Sequence, residues 1–282
     1  MSKQIHLIHA ISPLHVGGGT SLGLVDQPIL REKHTSFPYV PGSALKGTFR
    51  SWWHLSVKDR IQEDKIFGPM DGISDNAGEV IFGDASLLLL PIRSFRGVYA
   101  LATSPLAWNR LHRAAPHRFP SLIQVESGKA QVSPNTKLIS PSGKVILEEF
   151  DLISEKKSEV DQMTQALDKF LNNQVAIALN EHLVVLEDED FQFYARQACE
   201  VQAHVRINSE TKTVENGALW YSEYLPAESL LWTFTAPRIE ERGEPHQALL
   251  AKVKVGALAL QLGGDETTGK GQCLITTQEV NQ

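Results

Sequence analysis

Three consecutive glycines, Gly17 to Gly19, follow His15 near the start of the chain and strongly constrain how it can fold. Glycine adopts left-handed backbone conformations and lets another backbone or a phosphate come close. Just before the glycines, the alternation over Ile5 to Ile11 predicts a first strand with Leu7 facing inward. The pattern therefore predicts a strand that opens into a loop with little side-chain cover.

A turn at Pro41 to Ser43 leads into a segment with helical periodicity, predicted to run from about 43 to 58. We expect the Ser43 hydroxyl to cap this helix by accepting a backbone N–H of the first turn. One side of the helix carries apolar residues at positions i, i+4 and i+7, namely Leu45, Phe49 and Trp52.

Lys46 and Arg50 lie four residues apart and share another side of the same helix. Cations near a helix N-terminus oppose the helix dipole, which favours an anion there. An external phosphate would resolve this conflict, because the dipole, the free amides and both cations would converge on it. The alternative is that the two cations are solvated surface charges.

The glycine-rich stretch Leu262 to Gly271, LGGDETTGKG, matches the pattern G-x-x-x-x-G-K of a phosphate-binding P-loop. However, Gly271 stands where a P-loop needs Ser or Thr to hold magnesium, and a strand rather than a helix is predicted to follow. We therefore favour a loop whose amides and Lys270 accommodate an anion. A purely structural glycine turn is the alternative.

Composition narrows the choice of function. The 282-residue chain has a net charge of −6, which argues against nucleic-acid binding over its whole surface but not in one local groove. The acidic run Glu187 to Asp190 is expected to be a solvated loop rather than a metal site. Two cysteines, Cys199 and Cys273, provide neither a disulfide framework nor a zinc set. Without a candidate membrane span or signal peptide, we expect a reduced, cytoplasmic protein.

The rest of the first half alternates strand and helix signals. Strands are predicted over 80–90 and 97–103, followed by a helix from Ser104 to about Ala115. Strand, helix, strand, strand, helix, strand is the order of ferredoxin-like folds. Residues 116–151 are rich in Pro, Ser, Asn and Gly and are predicted to be irregular.

Further along, Ser158 to Asn173 is predicted to be helical, with one apolar face formed by Val160, Met163, Leu167, Phe170 and Leu171. The segment His204 to Pro226 is interpreted as a protruding hairpin with its tip at Asn208 and a second turn at Asn216–Gly217. Later segments are predicted as strand 230–236, helix 246–255 and strand 272–277.

Two long, ordered signatures resemble those of the RAMP superfamily of CRISPR proteins. One is GGGTSLGLVDQPILREKHT, starting at Gly17, continued by PYVPGSALKGTFR, and the other is the glycine-rich stretch at 262–271. More narrowly, the chain is similar to the repeated backbone subunit of the type III-B (Cmr) effector complex. It is also closely similar to the type III-A (Csm) backbone subunit, but the motif VDQPILREKHT, Val25 to Thr35, favours the Cmr subunit.

The resemblance implies an α+β fold: a ferredoxin-like, RNA-recognition-motif-like palm with insertions and a protruding β-hairpin thumb. The whole chain, 1–282, would form one palm domain, with an insertion at about 116–200 and the thumb at about 204–228. It further implies that several copies stack in a filament along a CRISPR RNA, together with other subunits of the Cmr complex. The thumb would reach over the duplex of guide and complementary target RNA.

The same resemblance implies cleavage of target RNA by Asp26 with a divalent metal such as Mg²⁺, in antiviral defence. An Asp beside a proline is by itself usually a turn residue. RNA supplies its own nucleophile, the 2′-hydroxyl, so a single carboxylate could act as base or hold a hydrated metal ion. Both roles stay open. The alternative function is an architectural RNA-binding subunit without nuclease activity. A third function, a guide-processing endonuclease, is disfavoured because the N-terminal signature is of the backbone type.

The remaining predicted site residues fall into two groups. Predicted contacts to RNA are His15, Gly17, Gly18, Gly19, Ser43, Lys46, Arg50, Gly264, Thr267 and Lys270. His15 is interpreted first as a guide-RNA contact and second as a catalyst. Glu223 and Tyr224, at the base of the thumb, are candidates to assist cleavage, although their interpretation as ordinary strand residues is favoured.

Overall fold

The central strand is β1 (Gln4–Ala10), all seven residues of which are buried. It pairs antiparallel with β12 (Leu230–Pro237) on one side and with β14 (Gln272–Thr277) on the other. Alternate side chains enter two hydrophobic clusters, Leu7 in one and Ile8 in the other. Because both faces of the strand are covered, the predicted inward position of Leu7 is confirmed, and the residues around it are buried as well.

The computed structural model describes residues 3–19, 23–70, 77–122, 124–172, 178–253 and 257–278. Its remaining strands are β2 (Tyr39–Val40), β3 (Val80–Phe82), β4 (Ala85–Arg93), β5 (Tyr99–Thr103), β6 (Lys129–Val132), β7 (Lys144–Leu147), β8 (Phe150–Lys156), β9 (Leu183–Val185), β10 (Glu200–Ile207), β11 (Val214–Tyr224) and β13 (Leu258–Gln261). Its α-helices are α1 (Gly42–Trp52), α2 (Arg60–Phe67), α3 (Pro105–Ala114), α4 (Ser158–Leu171), α5 (Leu179–His182), α6 (Asp188–Gln197) and α7 (Glu244–Val253).

Within these described ranges, twelve strands form one sheet in the order β13-β14-β1-β12-β4-β5-β9-β6-β8-β7, with β2 and β3 joined to β4 and β12. Helices α1, α2, α6 and α7 contribute side chains to one hydrophobic cluster, and α4 and most of α3 contribute to the other. The predicted α+β, ferredoxin-like palm is confirmed. No helix in the described part of the chain is long and apolar enough to cross a membrane.

Helix α1 lies where the periodicity predicts it, because Leu45 and Phe49 are buried against the sheet. The prediction that Ser43 caps this helix is wrong. The N-cap residue is Pro41, whose side chain makes no capping hydrogen bond. Instead, the first amide of the helix, that of Gly42, donates to Asp84 Oδ1 at 2.7 Å. A Cβ at Gly42 would lie 2.2 Å from the Phe82 carbonyl oxygen, so only glycine allows this approach. A π-helical turn, Trp53–Val57, extends α1 to the predicted end.

The prediction of irregular structure over 116–151 is wrong, because this stretch contains strands β6 and β7 and the start of β8. Together with β9 they extend the main sheet beyond β5. Strand β6 pairs with β9 and β8, which are distant in sequence. Such short strands carry a weak local signal, so tertiary pairing decides their structure.

The acidic run is also not a loop. Glu187 precedes α6, and the next three acidic residues form its first turn. Carboxylates at a helix N-terminus are stabilised by the helix dipole. One of them, Asp188, additionally accepts the Leu106 amide at 2.8 Å and so joins α6 to α3. The run therefore has a structural role at two helix starts.

Strands β10 and β11 form a separate two-stranded sheet, which confirms the predicted hairpin thumb. Its tip lies between Ile207 and Val214, as expected. Asn216–Gly217 does not make a second turn, because it lies within β11 where the register shifts and Gly217 has φ +73°. This segment is a bulge rather than a chain reversal.

A buried polar network crosses the sheet at His6. Its Nδ1 lies 2.7 Å from Thr277 Oγ1 and its Nε2 lies 2.8 Å from Thr235 Oγ1. The Thr235 hydroxyl also contacts His246 Nε2 at 2.9 Å. Burial, and secondarily the nearby His246, lowers the pKa of His6 to about 3. The imidazole is therefore neutral in the folded protein at physiological pH.

The depressed pKa of His6 makes the fold sensitive to acid. The stability it provides is fully present above the ordinary pKa of 6.5 and is lost as the pH falls from there toward 3. We expect His6→Asn to flatten the pH dependence of the free energy of unfolding by about 1.4 kcal/mol per pH unit between about pH 6 and pH 4. Urea unfolding at several pH values measures this slope. The exposed-site variant His117→Asn should keep the wild-type slope, and a wild-type slope in His6→Asn would contradict the prediction.

Candidate nucleic-acid interface

The two glycine-rich loops, far apart in sequence, lie against each other. The Gly264 amide donates to the His15 carbonyl at 2.8 Å, and the Gly271 amide donates to the Pro13 carbonyl at 2.9 Å. Gly263 has φ +77°, and a Cβ there would lie 2.1 Å from the His15 oxygen. Glycine is therefore required for this approach, and the loops form one continuous backbone surface.

The first loop closes as a narrow hairpin. The Gly18 amide donates to the Pro28 carbonyl at 2.8 Å, and the Leu30 amide donates to the Val16 carbonyl at the same distance. Gly17, Gly18 and Gly19 are exposed, and a Cβ at Gly19 would meet nothing within 4 Å. The loop thus presents uncovered backbone to solvent, as its three glycines predict.

Asp26 lies on the returning arm of this hairpin and is exposed. Its Oδ2 accepts the Tyr221 amide of β11 at 2.8 Å. Two further backbone hydrogen bonds, Gln27 N–H to Tyr221 O at 3.0 Å and Glu223 N–H to Gln27 O at 2.9 Å, fasten this arm to the thumb. The carboxylate is therefore held at the junction of the glycine loop and the thumb, and none of the described residues donates a hydrogen bond to Oδ1.

Glu223 lies near the end of β11, at the base of the thumb, as predicted. Its Oε1 forms an ion pair with Arg31, and its Oε2 accepts the Ile29 amide at 3.0 Å. Arg31 also donates to the Ser36 carbonyl at 2.9 Å. Since both carboxylate oxygens of Glu223 are engaged inside the protein, its contacts are those of a structural residue that joins the thumb base to the Asp26 arm.

His15 and Tyr224 meet where the two loops reach the thumb. His15 Nδ1 donates to the Glu223 carbonyl at 2.7 Å. The His15 and Tyr224 rings lie 5.5 Å apart. The Tyr224 hydroxyl contacts Asp265 Oδ2 at 2.7 Å and His204 Nε2 at 3.0 Å.

The second loop does not have the geometry of a nucleotide-binding P-loop. A single 3₁₀ turn, Glu266–Thr268, follows Gly264, and the chain then enters β14 instead of a helix. Thr267 is exposed. Lys270 Nζ donates to Gln202 Oε1 at 3.0 Å and lies 4.8 Å from the centre of the Tyr224 ring. The loop thus brings a cation to the inner face of the thumb.

The predicted phosphate site at the start of α1 is only partly assembled. The first amide of α1, that of Gly42, already donates to the Asp84 carboxylate. Ser43 is exposed and makes no capping hydrogen bond. Arg50 donates to the Gly68 carbonyl at 2.6 Å and pairs with Glu63. Burial, and then the neighbouring Arg50, lowers the pKa of Lys46. No hydrogen bond or ion pair joins either cation to the glycine loops in the described residues, so their RNA contacts stay predictions.

Sequence reasoning identified Asp26 and both loops but not the residues that connect them. Arg31 lies in the recognised N-terminal run, yet nothing local shows that it pairs with Glu223. Asp265, His204 and Gln202 contact the site only because the thumb folds back onto the second loop. Strand alternation over 200–207 was the one available signal, since it places Gln202 and His204 on a common face.

Comparison with known proteins supports one family. A model of the RAMP superfamily matches residues 7–273. The chain is 38% identical to the Cmr endoribonuclease Cmr4 of the CRISPR system of Pyrococcus furiosus, over 97% of this chain and 95% of the relative.

Solved structures show the same fold. Oligomeric Cmr4 from Pyrococcus furiosus superposes with a TM-score of 0.78 at 29% identity, covering 100% of both chains. A chain of the type III-B Cmr-beta complex bound to cognate target RNA superposes with a TM-score of 0.77 at 23% identity, covering 98% of this chain and 97% of that one.

The contacts of Glu223 predict a loss of stability when it is truncated. Glu223→Ala removes the carboxylate partner of the Arg31 guanidinium and the acceptor of the Ile29 amide, so we expect the free energy of unfolding to fall by about 2–4 kcal/mol. Urea unfolding measures this change. In the control Glu148→Ala, whose partner Arg93 is 75% exposed, the loss should stay below about 1 kcal/mol. Similar small changes in both variants would refute the structural role.

Proposed function

The chain belongs to the RAMP superfamily and is a homologue of a Cmr4 endoribonuclease, and from this premise we propose its function. It is a repeating backbone subunit of a type III-B CRISPR ribonucleoprotein. In the assembled complex it binds CRISPR RNA, stacks on further copies of itself and on other Cmr subunits, and cleaves complementary target RNA. The structures of oligomeric Cmr4 and of a Cmr complex bound to target RNA support this assembly.

The observation that carries the nuclease proposal is the position of Asp26. Its carboxylate is exposed and fixed by the Tyr221 amide at the base of the thumb, next to the two glycine loops. Any RNA strand that follows the loops and passes beneath the thumb meets this carboxylate. A side chain so placed supports cleavage better than a purely architectural role.

RNA binding is attributed to the joined loops. Their exposed glycines let phosphates approach backbone amides closely, and Lys270 adds positive charge. Contacts of this kind involve the sugar–phosphate backbone and do not distinguish bases. Specificity would then come from base pairing between guide and target, in agreement with a protein whose net charge is −6.

Cleavage requires little chemistry from the protein. The ribose 2′-hydroxyl is the nucleophile, and the enzyme must align it with the phosphorus and the leaving 5′-oxygen, remove its proton and stabilise developing charge. Asp26 Oδ1 is the free oxygen that would accept the proton directly or contact a hydrated metal ion. His15, beside the same junction, is the second group able to exchange a proton.

A divalent cation is part of the proposal. Mg²⁺ keeps most of its water ligands and is usually held by one or two carboxylates together with substrate phosphates. Asp26, with one oxygen unengaged, fits such a role, and the ion would neutralise charge on the phosphate. In the described residues no group of three or more His, Cys, Asp or Glu side chains is arranged to hold a metal ion. The cation would therefore depend on RNA as a ligand.

Cleavage of labelled complementary RNA by the assembled complex tests this function. We expect Asp26→Asn to abolish the regularly spaced products while RNA binding persists, and chelation of the divalent metal to have the same effect on wild type. Asp151→Asn, an exposed control far from the site on β8, should cleave normally. Undiminished cleavage by Asp26→Asn would identify the chain as architectural and place the nuclease in a partner subunit.

Salt dependence tests the predicted phosphate contacts separately. If Lys270 or Lys46 contacts a phosphate, its replacement by Ala should reduce the slope of log K against log salt by about 0.7–0.9. RNA binding measured from low to high salt determines this slope. Lys144→Ala, at the far edge of the sheet, should leave it unchanged. An unaltered slope in Lys46→Ala would remove the site at the start of α1.

A further inference from the structure

We propose that Asp265 is a positioning residue for RNA cleavage, acting through Tyr224 on the catalytic carboxylate of Asp26. The proposal rests on the proposed nuclease function. Asp265 belongs to the second glycine loop, whereas Asp26 lies on the first. Two hydrogen bonds, joined by the backbone of β11 at the thumb base, link them.

The first link is the hydrogen bond from the Tyr224 hydroxyl to Asp265 Oδ2, at 2.7 Å. The hydroxyl has one proton to donate, so its 3.0 Å contact with His204 Nε2 is one in which the imidazole donates. Burial, and then the contact with Asp265, raises the pKa of Tyr224 to about 12. The hydroxyl therefore keeps its proton, and the hydrogen bond to Asp265 is charge-assisted and correspondingly strong.

Asp265 itself is held rigidly. Its φ of +59° lies in the left-handed region, which is uncommon for residues other than glycine. The carbonyl oxygen of Asp265 accepts the Thr268 amide at 3.0 Å, the Thr268 hydroxyl at 2.8 Å and the Lys270 amide at 3.2 Å. These bonds fix the backbone of the loop, so its carboxylate provides a stationary anchor for Tyr224.

The second link runs along β11. Tyr224 is three residues beyond Tyr221, whose amide donates to Asp26 Oδ2. A two-stranded hairpin is marginally stable by itself, so the contacts at its base set the direction of the thumb. Lys270 adds to this fastening through Gln202 and the Tyr224 ring. Loss of the Asp265 anchor would let β11 shift and displace the Tyr221 amide from Asp26.

Steady-state cleavage by the assembled complex tests the proposal with Tyr224→Phe, Asp265→Ala and Asp265→Asn. We expect kcat to fall by about 10- to 100-fold in Tyr224→Phe and in Asp265→Ala, because a small misplacement of a reacting group has effects of this size. KM for target RNA should not change. The double variant should be no slower than either single variant, since both remove one hydrogen bond.

Asp265→Asn distinguishes positioning from general damage to the loop. Its amide oxygen can still accept the Tyr224 hydroxyl, so we expect it to recover most of the wild-type kcat. The control is Glu159→Ala, which removes an exposed carboxylate of α4 outside both glycine loops and should cleave like wild type. Thermal unfolding of each variant verifies that the fold is intact.

Wild-type kcat in Tyr224→Phe and Asp265→Ala would overturn the proposal. Multiplicative effects in the double variant, or a raised KM with unchanged kcat, would also overturn it. The Asp26→Asn experiment distinguishes a failure of the positioning role from a failure of the nuclease assignment. If Asp26→Asn is inactive while Tyr224→Phe and Asp265→Ala are normal, only the positioning role fails, whereas an active Asp26→Asn refutes the nuclease assignment itself.

Discussion

The antiparallel pairing of β1 with β14 is the interaction on which the rest of the structure depends. It runs from His6 opposite Thr277 to Ala10 opposite Cys273. Because the strands are antiparallel, the loop that leaves β1 and the loop that enters β14 emerge at the same end of the sheet. Two glycine-rich segments from opposite ends of the chain thereby become one backbone surface.

The thumb depends on that surface for its orientation. Its two faces differ, as strand periodicity requires: Val205 and Leu219 lie opposite each other and are exposed, while His204 and Trp220 stack at 5.4 Å on the other face. Within the described ranges its base is anchored, through the Asp26 arm on one side and the second glycine loop on the other. The position of the Asp26 carboxylate and the direction of the thumb are therefore set by the same contacts.

Much of the fold is predictable because its signals are local. Helix α4 begins at Ser158 as predicted, and β14 has the predicted bounds, since apolar periodicity and glycine punctuation lie within each segment. Predictions fail where partners are distant. The first amide of α1 donates to Asp84 and not to Ser43, and β6 pairs with β8 and β9, which are remote in sequence. No window along the chain contains that information.

Consecutive residues of the sequence were enough to identify the first strand, helix α1, the two glycine loops, the family and Asp26. Tertiary structure alone decided what surrounds that carboxylate. It assigned Glu223 to an ion pair with Arg31 and joined Tyr224 to Asp265, 41 residues away. The physical reason is that hydrogen bonds and ion pairs depend on distances of about 3 Å, and only long-range strand pairing brings such groups that close.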